Sequence, residues 1–146
     1  MAFRANLKVC FADIDNAGIV YYPRFLHYFH VAIEEFFGAE LHIDYAEVVN
    51  KHRLGFPTVH LQSNFLNPLR FGDRVEVEIK VLDIGRTSVK FGYSVFKAGR
   101  DNILVVVGYN VMVCLNLDSF TKTEIPDWLR QPLEKYQLRC EQDREK

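Results

Sequence analysis

The chain has 146 residues with a formal net charge of −1, and 49% of its residues are hydrophobic and 25% charged. These values are ordinary for one folded domain and exclude disordered, collagen-like and low-complexity classes. Eighteen basic residues against nineteen acidic ones leave no positive excess for holding a nucleic-acid backbone.

The first half of the chain predicts a strand, a turn-rich loop and two helices. Phe3–Phe11 alternates loosely between apolar and polar residues, as a strand does. Asp13–Pro23 carries turn-forming residues, and apolar side chains then recur at helical spacing. Pro23 suits the first helical position and Gly38 a C-terminal stop, so a helix mostly enclosed by the fold is predicted between them. Asp44–His52 predicts a second, shorter helix.

The second half predicts strands joined by short turns, which favours antiparallel pairing. Val75–Val81 alternates most clearly, with β-branched residues on one face and charged residues on the other. Ile103–Leu115 is long and apolar, so it should be central or covered by another subunit, and Gly108 within it indicates a bulge. The two other predicted strands are Phe56–Phe65 and Ser88–Phe96.

This pattern predicts an α+β fold in which an antiparallel sheet wraps around the long helix. Residues 1–130 form the predicted single domain, and Gln131–Lys146 is a polar C-terminal tail expected to be exposed or frayed. Three widely spaced cysteines without a C-x-x-C pair predict no disulfide framework and no zinc site. With no signal-peptide core and no apolar run of spanning length, we expect a soluble cytoplasmic protein without membrane insertion.

The densest cluster of chemically active residue types is the segment FADIDNAGIVYYP, from Phe11 to Pro23. Its two carboxylates, Asp13 and Asp15, precede a helix start. The free N–H groups there can polarise a carbonyl or hold an oxyanion. A carboxylate beside them can act as a nucleophile or as a general base. Spacing alone favours an ordinary turn, because Asp, Asn and Gly are the residues that turns use.

The segment resembles the active-site signature of the 4-hydroxybenzoyl-CoA thioesterase-like branch of the hotdog superfamily. The resemblance extends past the following helix to Gly55–Val59, Phe65, the Phe71–Asp73 turn and Gly85–Ser88. The signature positions that agree in register are Phe11, Asp13, Asp15, Gly18, Ile19, Val20, Tyr21 and Tyr22.

The resemblance implies a hotdog-fold acyl-CoA thioesterase that hydrolyses an acyl-CoA thioester to the free acid and CoA. It assigns the catalytic carboxylate to Asp15 and the carbonyl-binding group to the backbone N–H of Tyr22. Asp13 is interpreted as a structural residue of the turn. The residues implied to shape the approach of the carbonyl are Gly18, Ile19 and Val20. The residues implied to contact substrate or CoA are Tyr21, Phe56, Thr58, Arg86, Thr87 and Ser88.

The resemblance implies no metal and no cofactor, and it implies a homodimer or homotetramer with the active site between subunits. His27 and His30 lie one helical turn apart, but a zinc site would need a further ligand. A thioesterase acting on acyl carrier protein and a non-catalytic acyl-CoA-binding module remain alternatives, whereas a hydratase fits less well because its histidine-bearing helix motif is absent. The acyl group, the nucleophilic or basic role of Asp15 and the choice of dimer or tetramer stay open.

Overall fold

The structure is a computed structural model that describes residues 2–144. An antiparallel five-stranded sheet wraps around one long helix, and a small three-stranded sheet lies beside it. The helices are α1 (Arg24–Glu40), α2 (Tyr45–Asn50) and α3 (Asp127–Arg144), and a 3₁₀ turn spans Phe11–Asp13. The strands are β1 (Phe3–Lys8), β2 (Leu54–Gly55), β3 (Thr58–Phe65), β4 (Arg74–Ile84), β5 (Ser88–Lys97), β6 (Ile103–Val113), β7 (Leu115–Asn116) and β8 (Thr121–Lys122).

The large sheet has the strand order β1-β4-β5-β6-β3, and every pairing in it is antiparallel. Strands β4, β5 and β6 follow one another through short turns, as the sequence predicts. The long apolar strand β6 is interior, which confirms the expectation that it must be covered. Strand β3 forms the edge of the sheet opposite β1, and seven of its eight residues are exposed.

Helix α1 is enclosed by the sheet, as its apolar stripe predicts. The ring of Phe29 lies 4.5 Å from that of Tyr93, and the ring of Phe36 lies 6.0 Å from that of Phe91, both on β5. Burying one such side chain contributes about 1.5–3 kcal/mol. The predicted stop at Gly38 is wrong, because the helix continues to Glu40 and the chain turns only at His42, where φ is +59°.

The expectation of an exposed or frayed C-terminal tail is also wrong for the residues that the structure describes. Residues 131–144 belong to α3, and Leu133, Tyr136 and Cys140 are buried against the core. These apolar residues recur at helical spacing, but they are too sparse in a polar segment to dominate its composition. Glu145 and Lys146, the last two residues of the predicted tail, lie outside the described residues. No helix within residues 2–144 is long and apolar enough to span a membrane.

Gly108 does not mark a bulge, because its pairings with Ser63 on β3 and Tyr93 on β5 lie within regular register. A Cβ at this position would lie 2.3 Å from the carbonyl oxygen of Gln62. The glycine therefore allows the backbones of β3 and β6 to approach closely.

Candidate active site

The segment that carries Asp15 folds as a tight, exposed turn ahead of α1. A bridge pairs Ile14 with Val20, and the Asp15 N–H donates to the Ile19 carbonyl over 3.0 Å. Gly18 donates its N–H to the Asp15 carbonyl over 3.0 Å and has φ of +81°, a conformation that favours glycine. The turn therefore fixes Asp15 on a defined backbone.

The carboxylate of Asp15 is exposed and partly oriented. Its Oδ1 accepts a 2.8 Å hydrogen bond from the Ala17 N–H, which is the local bond of an Asx turn. Among the described residues, no group donates a hydrogen bond to its Oδ2. One oxygen therefore holds the side chain in place while the other can approach an electrophilic carbon or a water molecule.

The start of α1 carries one unengaged backbone donor. The Val20 N–H donates to the Leu69 carbonyl over 2.8 Å, and the Tyr21 N–H donates to the Asp13 carbonyl over 2.9 Å. Pro23 has no N–H. Within residues 2–144, the Tyr22 N–H forms no hydrogen bond. A free N–H beside a helix N-terminus is suited to a carbonyl oxygen that acquires negative charge.

Three exposed rings cluster at the Tyr22 side chain, and we call Tyr21, Tyr22 and Phe65 the aromatic patch. Their exposed fractions are 49%, 63% and 49%. The Tyr22 ring lies 5.4 Å from the Tyr21 ring and 6.2 Å from the Phe65 ring. Phe65 comes from the edge strand β3, and its long-range contact with the helix start is a feature that sequence reasoning missed.

Asp13 differs from Asp15 in being buried, with 3% of its surface exposed. Its Oδ2 accepts hydrogen bonds from the Cys10 N–H (2.8 Å) and the Tyr28 hydroxyl (2.7 Å). Its Oδ1 accepts from Arg24 Nε (2.9 Å) and lies 2.7 Å from Arg24 Nη2. Burial alone would raise the pKa of Asp13, but these hydrogen bonds outweigh it, and the pKa lies below its ordinary value.

The Gly85–Ser88 turn, predicted to meet CoA phosphates, has an exposed arginine. Nη1 of Arg86 lies 2.8 Å from the Glu124 carboxylate, and both side chains are largely exposed. Nη2 of Arg130 donates to the Gly85 carbonyl (2.7 Å) and to the Arg86 carbonyl (3.0 Å). Arg130 therefore holds the turn from α3. The exposed ion pair between Arg86 and Glu124 is weak enough for a phosphate to replace the carboxylate.

The two remaining predicted contacts have different surroundings. Phe56 is buried, with its ring 5.9 Å from that of Phe37, so in this chain it is a core residue. Thr58 is exposed, and its hydroxyl oxygen accepts a 3.0 Å hydrogen bond from the buried Asn110 side chain.

The predicted residues do not converge within one chain. The Asp15 turn lies at the end of the sheet where β4 begins, because Val9 and Val20 bond to residues just before Arg74. The Gly85–Ser88 turn lies where β4 ends. At about 3.3 Å per residue, the 11 residues of β4 separate the two by about 35 Å.

The edge strand β3 runs between the same two ends of the sheet. Phe65 pairs with Val106 near the Asp15 end, and Thr58 pairs with Met112 near the Gly85 end. The chain therefore has one group of candidate residues at each end of β3.

Comparisons with known proteins identify the family of the chain. The sequence profile of the thioesterase-like superfamily matches residues 9–133. The 1,4-dihydroxy-2-naphthoyl-CoA hydrolase of Nostoc punctiforme is 32% identical over 134 residues, which are 92% of this chain and 88% of that protein.

Solved structures of similar proteins have the same fold. A 1,4-dihydroxy-2-naphthoyl-CoA thioesterase from Synechocystis has a TM-score of 0.81 and 25% identity, with 91% of this chain and 96% of that one covered. A gentisyl-coenzyme A thioesterase has a TM-score of 0.80 and 28% identity, with 90% and 99% covered.

Proposed function

The chain belongs to the thioesterase-like superfamily and is a thioester hydrolase, and we propose that it hydrolyses an aromatic acyl-CoA with Asp15 as the reacting carboxylate. The observation that supports this most is the free Tyr22 N–H at the start of α1, reached through the same short loop that fixes Asp15. Hydrolysis of a thioester through a reacting carboxylate needs that carboxylate and an oxyanion donor together, and this loop supplies one of each.

The proposed chemistry follows from these two groups. The thioester oxygen accepts a hydrogen bond from the Tyr22 N–H while negative charge develops on it. One such donor is worth about 2.7–4 kcal/mol in the transition state. As a nucleophile, Asp15 forms an acyl anhydride, the C–S bond breaks and CoA leaves as its thiolate; water then hydrolyses the anhydride and restores the carboxylate. As a base, Asp15 takes a proton from the attacking water, and that proton passes to the departing thiolate.

The aromatic patch supports an aromatic acyl group. Its rings are exposed in this chain beside the proposed oxyanion donor, where an acyl ring can pack against them edge to face or offset. Hydrolases of dihydroxynaphthoyl-CoA and a gentisyl-CoA thioesterase are among the similar proteins. We therefore propose a hydroxylated aromatic acyl-CoA as the substrate class.

We further propose a homodimer in which β3 pairs antiparallel with β3 of a second copy. The exposed outer edge of β3 offers unpaired backbone groups for such a pairing. Antiparallel pairing would bring the Thr58 end of one copy beside the Phe65 end of the other. The partner's Arg86 turn would then lie on the side of the Asp15 loop, and one CoA ester could contact both.

Steady-state kinetics test the reaction. We expect 1,4-dihydroxy-2-naphthoyl-CoA or gentisyl-CoA to have a higher kcat/KM than hexanoyl-CoA, palmitoyl-CoA and the matched acyl-carrier-protein thioester. Asp15→Asn should lower kcat by about 100-fold or more. Asp44→Asn is the matched control, because Asp44 makes the same Asx-turn bond to Ala46 at the start of α2. Tight acyl-CoA binding without hydrolysis by the wild type would refute the proposal.

Mixing two variants tests the dimeric site. Asp15→Asn and Arg86→Ala are each expected to be impaired at low substrate concentration. A mixed dimer would contain one site with an intact Asp15 from one copy and an intact Arg86 from the other. Co-refolding the two variants should therefore restore activity above that of either alone. Absence of any recovery in a confirmed mixed dimer would contradict the composite site.

A further inference from the structure

Asp13 connects both arms of the Asp15 loop to α1. Its side chain accepts from Cys10, which precedes the loop, and from Arg24 and Tyr28, which lie in the first turns of the helix. Its main-chain carbonyl accepts the Tyr21 N–H over 2.9 Å, at the far end of the loop. One buried residue therefore fixes the entry to the loop, its exit and the helix start.

One hydrogen bond of Asp13 holds the backbone next to the free donor. The Asp13 carbonyl occupies the Tyr21 N–H, whereas the next N–H along the chain, that of Tyr22, is unengaged among the described residues. Asp15, two residues after Asp13, lies on the turn that the same residue anchors. The relative position of the proposed carboxylate and the proposed oxyanion donor thus depends on Asp13.

The charges of Asp13 and of its partners Arg24 and Tyr28 favour a fixed arrangement of these three side chains. The Arg24 side chain is 39% exposed and supplies a partly screened positive charge beside the carboxylate. Burial, followed by the hydrogen bond to Asp13, raises the pKa of Tyr28 far above neutrality, so its hydroxyl stays a donor. Because the pKa of Asp13 is lowered and that of Tyr28 is raised, the Asp13 carboxylate stays ionised and the Tyr28 hydroxyl stays neutral near pH 7.

We infer that Asp13 is a positioning residue for thioester hydrolysis, which holds Asp15 and the Tyr22 N–H in register through its bonds to Cys10, Arg24, Tyr28 and Tyr21. The inference rests on the proposed function. Asp13 does not touch the substrate; it acts through the loop and the helix start. Displacing a reacting group by about 1 Å can cost about 100-fold in rate, so the loss of this support should appear in kcat.

Asp13→Asn tests the inference, because the amide has the shape of the carboxyl but loses its charge and one acceptor oxygen. We expect kcat to fall about 10- to 100-fold while KM changes less than about threefold. Tyr28→Phe removes one donor without changing the fold, and it should lower kcat about tenfold with the same unchanged KM. The matched control is Glu40→Gln, which breaks a 2.8 Å pair with Arg139 at the other end of α1 and should leave kcat unchanged.

Hydrogen exchange supplies a readout that does not depend on activity. In Asp13→Asn, the hydrogen-bonded amides of Cys10, Val20 and Tyr21 should exchange about tenfold faster, while those of α3 keep the wild-type rate. Unchanged exchange in the loop would overturn the inference, and so would a wild-type kcat in both variants or a change confined to KM. Failure of the proposed function is distinct, because it would appear as an inactive wild type or an active Asp15→Asn variant.

Discussion

Removing the Tyr136 hydroxyl tests how α3 is attached to the large sheet. It donates to the Ile79 carbonyl over 2.5 Å and accepts from the Phe3 N–H over 2.8 Å. Phe3 on β1 is paired in register with Ile79 on β4. The Tyr136 hydroxyl therefore bonds to both strands at this pair. Tyr136→Phe removes this hydroxyl and keeps the ring, which lies 4.8 Å from the ring of Phe36.

The size of the effect follows from the burial of the two groups left behind. Ile79 is fully buried, so in the variant its carbonyl would lose the hydrogen bond that it accepts from the hydroxyl, and no water could replace the donor. Leaving this carbonyl without a donor costs about 1–3 kcal/mol. Phe3 is only partly buried, so its N–H can be hydrated at a cost of about 0.5–1 kcal/mol. We expect the free energy of unfolding to fall by about 1.5–4 kcal/mol.

Denaturation at a fixed protein concentration measures this difference. The expected loss corresponds to a fall in Tm of about 5–13 °C for a domain of this size. Tyr109→Phe is the control, because the Tyr109 hydroxyl bonds to exposed Gln62 on the outer face of the sheet, and it should change stability by less than about 0.5 kcal/mol. A similarly small loss in Tyr136→Phe would refute the reasoning, since it would mean that Phe3 and Ile79 pair directly without the phenol.

Three further predictions concern the edge strand, the buried carboxylate and the thiols. Gly108→Ala places a Cβ against the Gln62 carbonyl, so it should separate β3 from β6, lower stability by about 1–3 kcal/mol and weaken self-association in sedimentation experiments. The folded-state pKa of Asp13 lies below its unfolded value of about 3.9, so its stabilising effect is complete above that pH and declines as pH falls through the folded pKa. The stability gap between wild type and Asp13→Asn should therefore be constant near neutrality and shrink in acid; a gap that widens in acid would contradict the sign. A thiol reagent should modify exposed Cys10 rapidly and buried Cys114, whose pKa burial raises to about 11, only on unfolding; equal rates would contradict the packing.

Much of the fold could be predicted because its periodic patterns are strong. The stripe of α1 and the alternation of β4 each bury one complete face, so composition and spacing agree. The end of α1 was misjudged at Gly38, because the turn depends on the backbone of His42 and not on a glycine. Helix α3 was missed because a few apolar residues suffice to dock a polar helix when a core is already present.

The candidate site was predictable only in its local part. The resemblance named Asp15 and the Tyr22 N–H, and the structure adds the hydrogen bonds that leave that N–H free. Local sequence does not show that Phe65 reaches the helix start, because the contact requires the edge position of β3. It also does not show that the Arg86 turn lies at the other end of β4, which depends on strand length and register.

Single-turnover hydrolysis tests the central claim most directly. Excess enzyme is mixed rapidly with 1,4-dihydroxy-2-naphthoyl-CoA or gentisyl-CoA, and the release of the CoA thiol is followed for wild type and Asp15→Asn. The account predicts that both proteins bind the thioester and that the variant releases CoA at least about 100-fold more slowly. Release by the variant within a few fold of the wild-type rate would contradict the assignment of Asp15 as the reacting carboxylate.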